Sequence, residues 1–129
     1  MYLAANPDRM ARIEEIATTY GISKGHVMKA VRALSGHGFV DPVRGRGGGI
    51  RLARPAQEIV VGDVVRKTEE NLAIVECFGA DQHCVIQPAC GLRDALALAL
   101  NAFLATLDEY TLADLIKHPR KMSQLLEIT

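Results

Sequence analysis

The sequence predicts a mainly α-helical fold with a small β-hairpin: a helix-turn-helix with a wing, followed by a long C-terminal helix. Three observations carry this. Ala and Leu dominate a chain that has no Trp and only 5% aromatic residues, a composition that leans helical. Apolar residues recur at helical spacing on either side of one glycine-rich stretch. That stretch is itself flanked by two short runs that read as strands.

The elements follow in order. Met1–Ala5 reads as the last turn of a helix, ended by Pro7 and Asp8. In RIEEIATTYG, Ile13, Ile16, Ala17 and Tyr20 fall at i, i+3, i+4, i+7 and predict an amphipathic helix that Gly21 stops. Ser23 can cap the next helix. There Val27, Met28, Val31 and Leu34 make an apolar stripe, Lys24, His26, Lys29 and Arg32 lie largely off it, and Gly36 and Gly38 end it. Two short helices joined by a Gly-containing turn form a helix-turn-helix pattern. FVDPVRGRGGGIRLARP then reads as a strand (Phe39–Arg44), a tip, and a strand (Ile50–Ala53). Gly45, Gly47, Gly48 and Gly49 are expected to supply positive φ for the reversal, with Arg44, Arg46 and Arg51 flanking it. The same glycines could cradle a phosphate, but GxxxxGK[ST] is absent and no helix follows directly.

Past a linker at Arg54–Gln57, a small helix is expected near Val61–Glu69, docked through Val64 and Val65. After the cysteine-bearing segment, GLRDALALALNAFLATLDEY carries one wide stripe (Leu92, Ala95, Leu96, Ala99, Leu100, Phe103, Leu107), with Leu98, Ala102 and Ala105 making much of the other side apolar. A helix apolar nearly all round must be covered. A second copy in a symmetric dimer is the natural cover, and the centre of a monomeric bundle is the alternative. Thr111 with Asp114 suggests the start of a last helix, Leu112–His118, ended by Pro119. The expected organisation is residues 1–72 as the winged module, 73–91 as the cysteine loop, and 92–129 as the long helix with a short C-terminal one.

The net charge is zero, but its distribution is uneven. Residues 1–54 hold nine Lys/Arg against four acids; the remainder holds six against eleven. A basic first half joined to an acidic second half fits a polyanion-binding module attached to something else; an ordinary mixed surface is the alternative. No long apolar run predicts a membrane span, and the N-terminus lacks the pattern of a secretory signal, so a cytoplasmic protein is expected.

The chain's three cysteines, Cys77, Cys84 and Cys90, all fall in ECFGADQHCVIQPACG. Chance, a disulfide with a spare thiol, and a metal or cluster site compete as explanations. An odd count in a reducing compartment favours free or ligating thiols. The spacings C-x6-C and C-x5-C match neither the paired CxxC of zinc modules nor the CxxCxxC run of ferredoxins. A loop bent by Gly79 and Pro88 can still wrap three thiolates round one cluster. No acid–base pair or nucleophile constellation accompanies them, so no enzyme is expected.

Taken in order, the helix-turn-helix, VRGRGGGIRLARP, IVVGDVVR, the three-cysteine loop, PACGLRDAL and LDEYTLADL resemble the bacterial winged-helix iron–sulfur transcriptional repressors of the NsrR/IscR type. The resemblance runs from about Tyr2 to Leu126 and is nearest to the nitric-oxide-sensing members. It implies a homodimeric repressor of double-stranded operator DNA in the bacterial cytoplasm. Ser23–Ser35 would be the recognition helix, and Ser23, Lys24, His26, Lys29, Arg32, Arg44, Arg46 and Arg51 would contact DNA. Cys77, Cys84 and Cys90 would hold a 4Fe–4S or 2Fe–2S cluster, which an aerobic preparation can lack, and the helix from Leu92 would form the dimer interface. Nitric oxide would be the signal; cluster or iron availability is the alternative within the family. A thiol or cluster redox protein without DNA binding, and a structural zinc site, are the readings outside it.

Cluster-biogenesis members carry a histidine three residues after the last cysteine; this chain has Arg93 there, and its CGLR…LDEYTLADL pattern fits the nitric-oxide-sensing members instead. Two departures stand out. C-x6-C is longer than is usual in this family. Relatives open with a longer first helix, thought to supply a carboxylate ligand, so Glu76, Asp81, His83 or an external molecule are the fourth-ligand candidates.

Overall fold

A computed structural model of the chain describes residues 1–80 and 83–127. The elements run α1 (Tyr2–Ala5), α2 (Ile13–Tyr20), α3 (Lys24–Gly36), β1 (Val40–Val43), β2 (Gly49–Leu52), α4 (Val61–Thr68), α5 (Gly91–Asp108) and α6 (Pro119–Leu125), with short 3-10 turns at Ala56–Glu58, Glu76–Phe78 and Gln87–Ala89.

The helix-turn-helix forms as its punctuation dictates. Gly21 ends α2 at φ +62°, the left-handed conformation glycine adopts without strain. The Ser23 hydroxyl then accepts the His26 N–H at 3.2 Å and opens α3. On α3, Val27 is buried and Val31 and Leu34 pack on the core, but Met28 is half exposed. It sits about 100° round the helix from Val27 and so leaves the expected stripe.

β1 and β2 pair antiparallel, Val40 opposite Leu52 and Val43 opposite Gly49. The glycine-rich tip works differently from expectation. Only Gly45 and Gly47 take positive φ, at +101° and +77°. Gly48 and Gly49 are needed for close approach: a Cβ on Gly48 would lie 2.2 Å from the Val43 carbonyl oxygen, and one on Gly49 2.6 Å from that of Ala11. Ala11 lies there because it exchanges backbone hydrogen bonds with Ile50 (2.8 and 3.0 Å) along the free edge of β2. Nothing local in MARIEE announces that bridge.

The main core sits in this winged module, with Phe39, only 2% exposed, among Tyr2, Ala11, Val40, Ile50 and Ile59. Its last wall comes from the far end of the chain. Leu126 is buried in the same cluster, with Leu112 and Met122 against it. The Ser123 hydroxyl donates to the Ala5 carbonyl at 2.9 Å. The C-terminus thus folds back onto α1.

The expected helix Leu112–His118 is absent; this stretch forms turns, and Pro119 begins α6 instead of ending a helix. The Thr111–Asp114 pair does form. The Thr111 N–H and hydroxyl donate to the Asp114 carboxylate at 2.7 and 2.8 Å, and the Asp114 N–H donates back to the hydroxyl at 3.3 Å. However, the Leu112 and Ala113 N–H groups are drawn to the carbonyls of Ile59 and Ala56, at 2.8 and 3.2 Å. Those tertiary bonds replace the helical ladder. Proline suits the first position of α6 because its missing N–H would have been unpaired there in any case.

Candidate nucleic-acid interface and cysteine loop

On α3, Lys24, His26, Lys29 and Arg32 are all exposed, and the last three follow one another at i, i+3, i+6 along one face. Lys24 pairs with Glu14 of α2 at 2.5 Å, and that hydrogen bond holds the Glu14 carboxyl below the usual range. At the wing tip Arg44 and Arg46 are exposed. Arg51 differs from them. It lies opposite Asp41 in the hairpin, and its Nε and guanidinium reach that carboxylate at 3.1 and 2.9 Å. Its charge is therefore shared, while Lys29, Arg32, Arg44 and Arg46 present theirs outward. The strand register carries the signal for this pairing, since residues facing across a hairpin meet. The base of the wing is fastened by two further cations, Arg54 and Lys67, at 5.0 and 5.5 Å from the centre of the Phe39 ring.

Two further side chains, missed by sequence reasoning, join the long helix to this module. Arg66 of α4 grips Asp108, at the end of α5, with both guanidinium nitrogens at 2.5 and 2.8 Å, and the pairing draws the Asp108 carboxyl below its ordinary range. Beside it Gly62 is buried, and a Cβ there would stand 1.9 Å from an Asp108 carboxylate oxygen. The backbone continues the junction: the Val61 N–H donates to Tyr110 at 2.9 Å, and Val60 bridges Thr111. IVVGDVVR and LDEYTLADL are thus two halves of one contact, and α4 in turn packs on α3.

The rest of α5 is less enclosed. Only Leu104 is buried, while Leu92, Leu98 and Phe103 are 65, 70 and 55% exposed. Among the described residues, nothing covers the face of α5 that carries Leu92, Leu98 and Phe103.

The cysteine loop enters at the opposite end of α5. Cys77 sits in the 3-10 turn Glu76–Phe78 and is half-buried; Cys90, also half-buried, is the residue capping α5; Cys84 between them is exposed. All three are free thiols. Of the fourth-ligand candidates, Glu76 and His83 are exposed, and Asp81 lies outside the described residues. Among the described residues no three His, Cys, Asp or Glu side chains are gathered closely enough to hold a metal ion.

The donor chemistry nevertheless fits an iron–sulfur group. Three soft thiols share one loop with no disulfide consuming them. A guanidinium nitrogen, Arg93 Nε, is buried without a partner in the first turn of α5, where a nearby anionic group would satisfy it.

Comparison with known proteins agrees with this architecture. Residues 1–118 match the Rrf2 family, described as iron-dependent transcriptional regulators. The HTH-type transcriptional regulator NsrR of Bacillus subtilis is 49% identical over 130 residues, spanning 99% of this chain and 89% of that protein. NsrR of Geobacillus kaustophilus is 48% identical over 125 residues, 96% and 85% of the two chains. Among solved structures, T. potens IscR superposes with a TM-score of 0.69 at 27% identity, covering 89% of this chain and 75% of that one. CymR, the global cysteine regulator of B. subtilis, gives 0.68 at 28%, covering 88% and 83%. The winged helix-turn-helix, the junction of α4 with α5 and the match over nearly all of its length together place this chain in the Rrf2 family of transcriptional regulators, DNA-binding proteins and not enzymes.

Proposed function

We propose that this regulator is a homodimeric repressor that binds double-stranded operator DNA in the bacterial cytoplasm, and that an iron–sulfur cluster on Cys77, Cys84 and Cys90 makes its grip on DNA sensitive to nitric oxide. One observation carries the reading: three free thiols lie on a loop that runs directly into the cap of α5, whose other end is fixed to the winged module.

The exposed apolar face of α5, with Leu92, Leu98 and Phe103, packs against the same face of a second copy. Two α3 helices then enter successive major grooves of the operator. Lys29, Arg32 and His26 reach phosphates or base edges from α3, and Arg44 and Arg46 hold the flanking backbone or minor groove from the wing. Lys24 and Arg51 join them by exchanging Glu14 and Asp41 for phosphate.

When bound, the cluster supplies iron that nitric oxide can attack. The chain's part is mechanical. Thiolates of Cys77, Cys84 and Cys90 pin loop 76–91 against the start of α5. Loss of that hold would loosen the loop, and the two winged modules would then lose their fixed spacing and release DNA. The names of the NsrR relatives favour this signal. The family description as iron-dependent favours a second reading, in which simple loss of the cluster is the signal.

The experiment is an anaerobic spectrum with iron and sulfide assays and operator binding, before and after nitric oxide, with an iron chelator in parallel. A coloured protein that loses its chromophore and its DNA on adding nitric oxide, and in which Cys84→Ala abolishes the colour, supports the proposal. Release by the chelator alone favours the second reading. Protein that takes up no iron after reconstitution rules out both.

A further inference from the structure

Arg93 is badly placed for its own helix. It lies in the first turn of α5, where the helix dipole disfavours a cation. No carboxylate among the described residues pairs with it, and its Nε is buried with no hydrogen-bond partner. A hidden, unpartnered guanidinium nitrogen is a cost that the fold does not relieve. What the side chain does touch is informative. Its guanidinium carbon stands 6.0 Å from the centre of the Phe78 ring. Phe78 belongs to the 3-10 turn that carries Cys77, and Arg93 stands one helical turn beyond Cys90, the capping residue of α5. This one side chain therefore joins the two half-buried cysteine-bearing segments across the base of the loop. Cys84 is exposed and lies outside the clamp.

We propose that Arg93 is a positioning residue of the cysteine site, acting in two ways. Stacked on Phe78, it holds the Cys77 turn against the start of α5, so that two of the three thiols are set in place before any iron arrives. Its unsatisfied positive charge is the built-in counter-charge for the anionic thiolate-ligated group. The second role rests on the iron–sulfur reading above; the first does not.

The test uses the full chain with Arg93→Gln, Arg93→Lys and Phe78→Leu. In the iron-free protein, amide hydrogen exchange is read at Phe78 and Gly79, whose N–H groups donate within the turn to Val75 and Glu76 at 3.0 Å each. Arg93→Gln and Phe78→Leu are expected to speed exchange there while leaving α2 and α3 unchanged. In the reconstituted protein, the rate of iron loss to a chelator is expected to rise about tenfold or more in Arg93→Gln, the scale usual for removing a group that supports metal ligands. Arg93→Lys restores the charge and should recover most of the retention. Iron loss at the wild-type rate in Arg93→Gln overturns the counter-charge role. Unaltered exchange at 78 and 79 in both neutral variants overturns the clamp. If the wild type itself takes up no iron, the iron–sulfur reading fails, and the clamp is still decided by the exchange data.

Discussion

The two ends of α5 are held in opposite ways. At its C-terminal end, Asp108 is gripped by both nitrogens of Arg66, Gly62 lets the helices close to contact, and backbone hydrogen bonds from Val61 and Leu112 tie the segment beyond it to the winged module. At its N-terminal end, about 27 Å away at 1.5 Å per residue, the contact described is one cation over one ring, Arg93 on Phe78, beside a loop whose Cys84, Val85 and Ile86 are exposed. The Asp108 carboxylate at the first end is satisfied within the fold, whereas Arg93 Nε at the second is buried without a partner. The fixed end meets α4, which packs in turn on α3; under the function proposed above, a group held by the loop would set the free end and α5 would act as a lever on the winged module.

The comparison can be broken most severely at Leu104, the buried residue of α5 in its fastened half. Leu104→Ala should lower unfolding free energy by about 2–4 kcal/mol, read from urea denaturation. A loss no larger than that of an exposed leucine would mean that this half of α5 is not anchored. Next comes Gly62→Val, which should cost about 1–3 kcal/mol by overpacking. Combining it with Asp108→Ala removes the nearest obstructing atom, and the double variant should lose less than the sum of the two; simple additivity would argue against the contact.

A smaller effect is set by pH. Asp108 is held below its ordinary range by its hydrogen bonds to Arg66, and Asp114 by the N–H and hydroxyl of Thr111. Folding depresses both, so the unfolded chain takes up these protons at higher pH than the folded one. Their contribution is complete above the usual aspartate pKa and is lost as pH falls through it toward the depressed folded values. Asp114→Asn should flatten that acid limb, and a denaturation midpoint with unchanged pH dependence would contradict the assignment. The smallest change is expected at Leu98. Leu98→Ala should alter the unfolding free energy of the isolated protomer by less than about 0.5 kcal/mol. The same substitution should weaken self-association in sedimentation, because an exposed leucine contributes only when a partner covers it.

Legibility in the sequence followed the range of the cause. The turn at Gly21, the Ser23 cap and the hairpin flanked by Arg44 and Arg46 rest on interactions within a few residues, and all were readable. The chemistry of the cysteine site was readable as a set of residue types but not as an arrangement. The sequence placed Pro119 as a stop, because a proline after an apolar run usually is one; tertiary bonds to Ile59 and Ala56 had already diverted that run. Gly48 and Gly49 read as turn glycines and prove to be contact glycines, because the neighbour that crowds Gly49, Ala11, is remote in sequence.

By itself, then, the sequence determined the helix-turn-helix, the wing, the three thiols and a long helix apolar nearly all round. Period, caps and glycines act locally, so the residues spell them out. Only the tertiary structure decided that Arg51 is already paired, that α6 closes the core against α1, that Gly62 meets Asp108, and that Arg93 lies unpartnered on Phe78. Each is a contact between side chains or backbone groups brought together by packing, and spacing along the chain carries little information about such meetings.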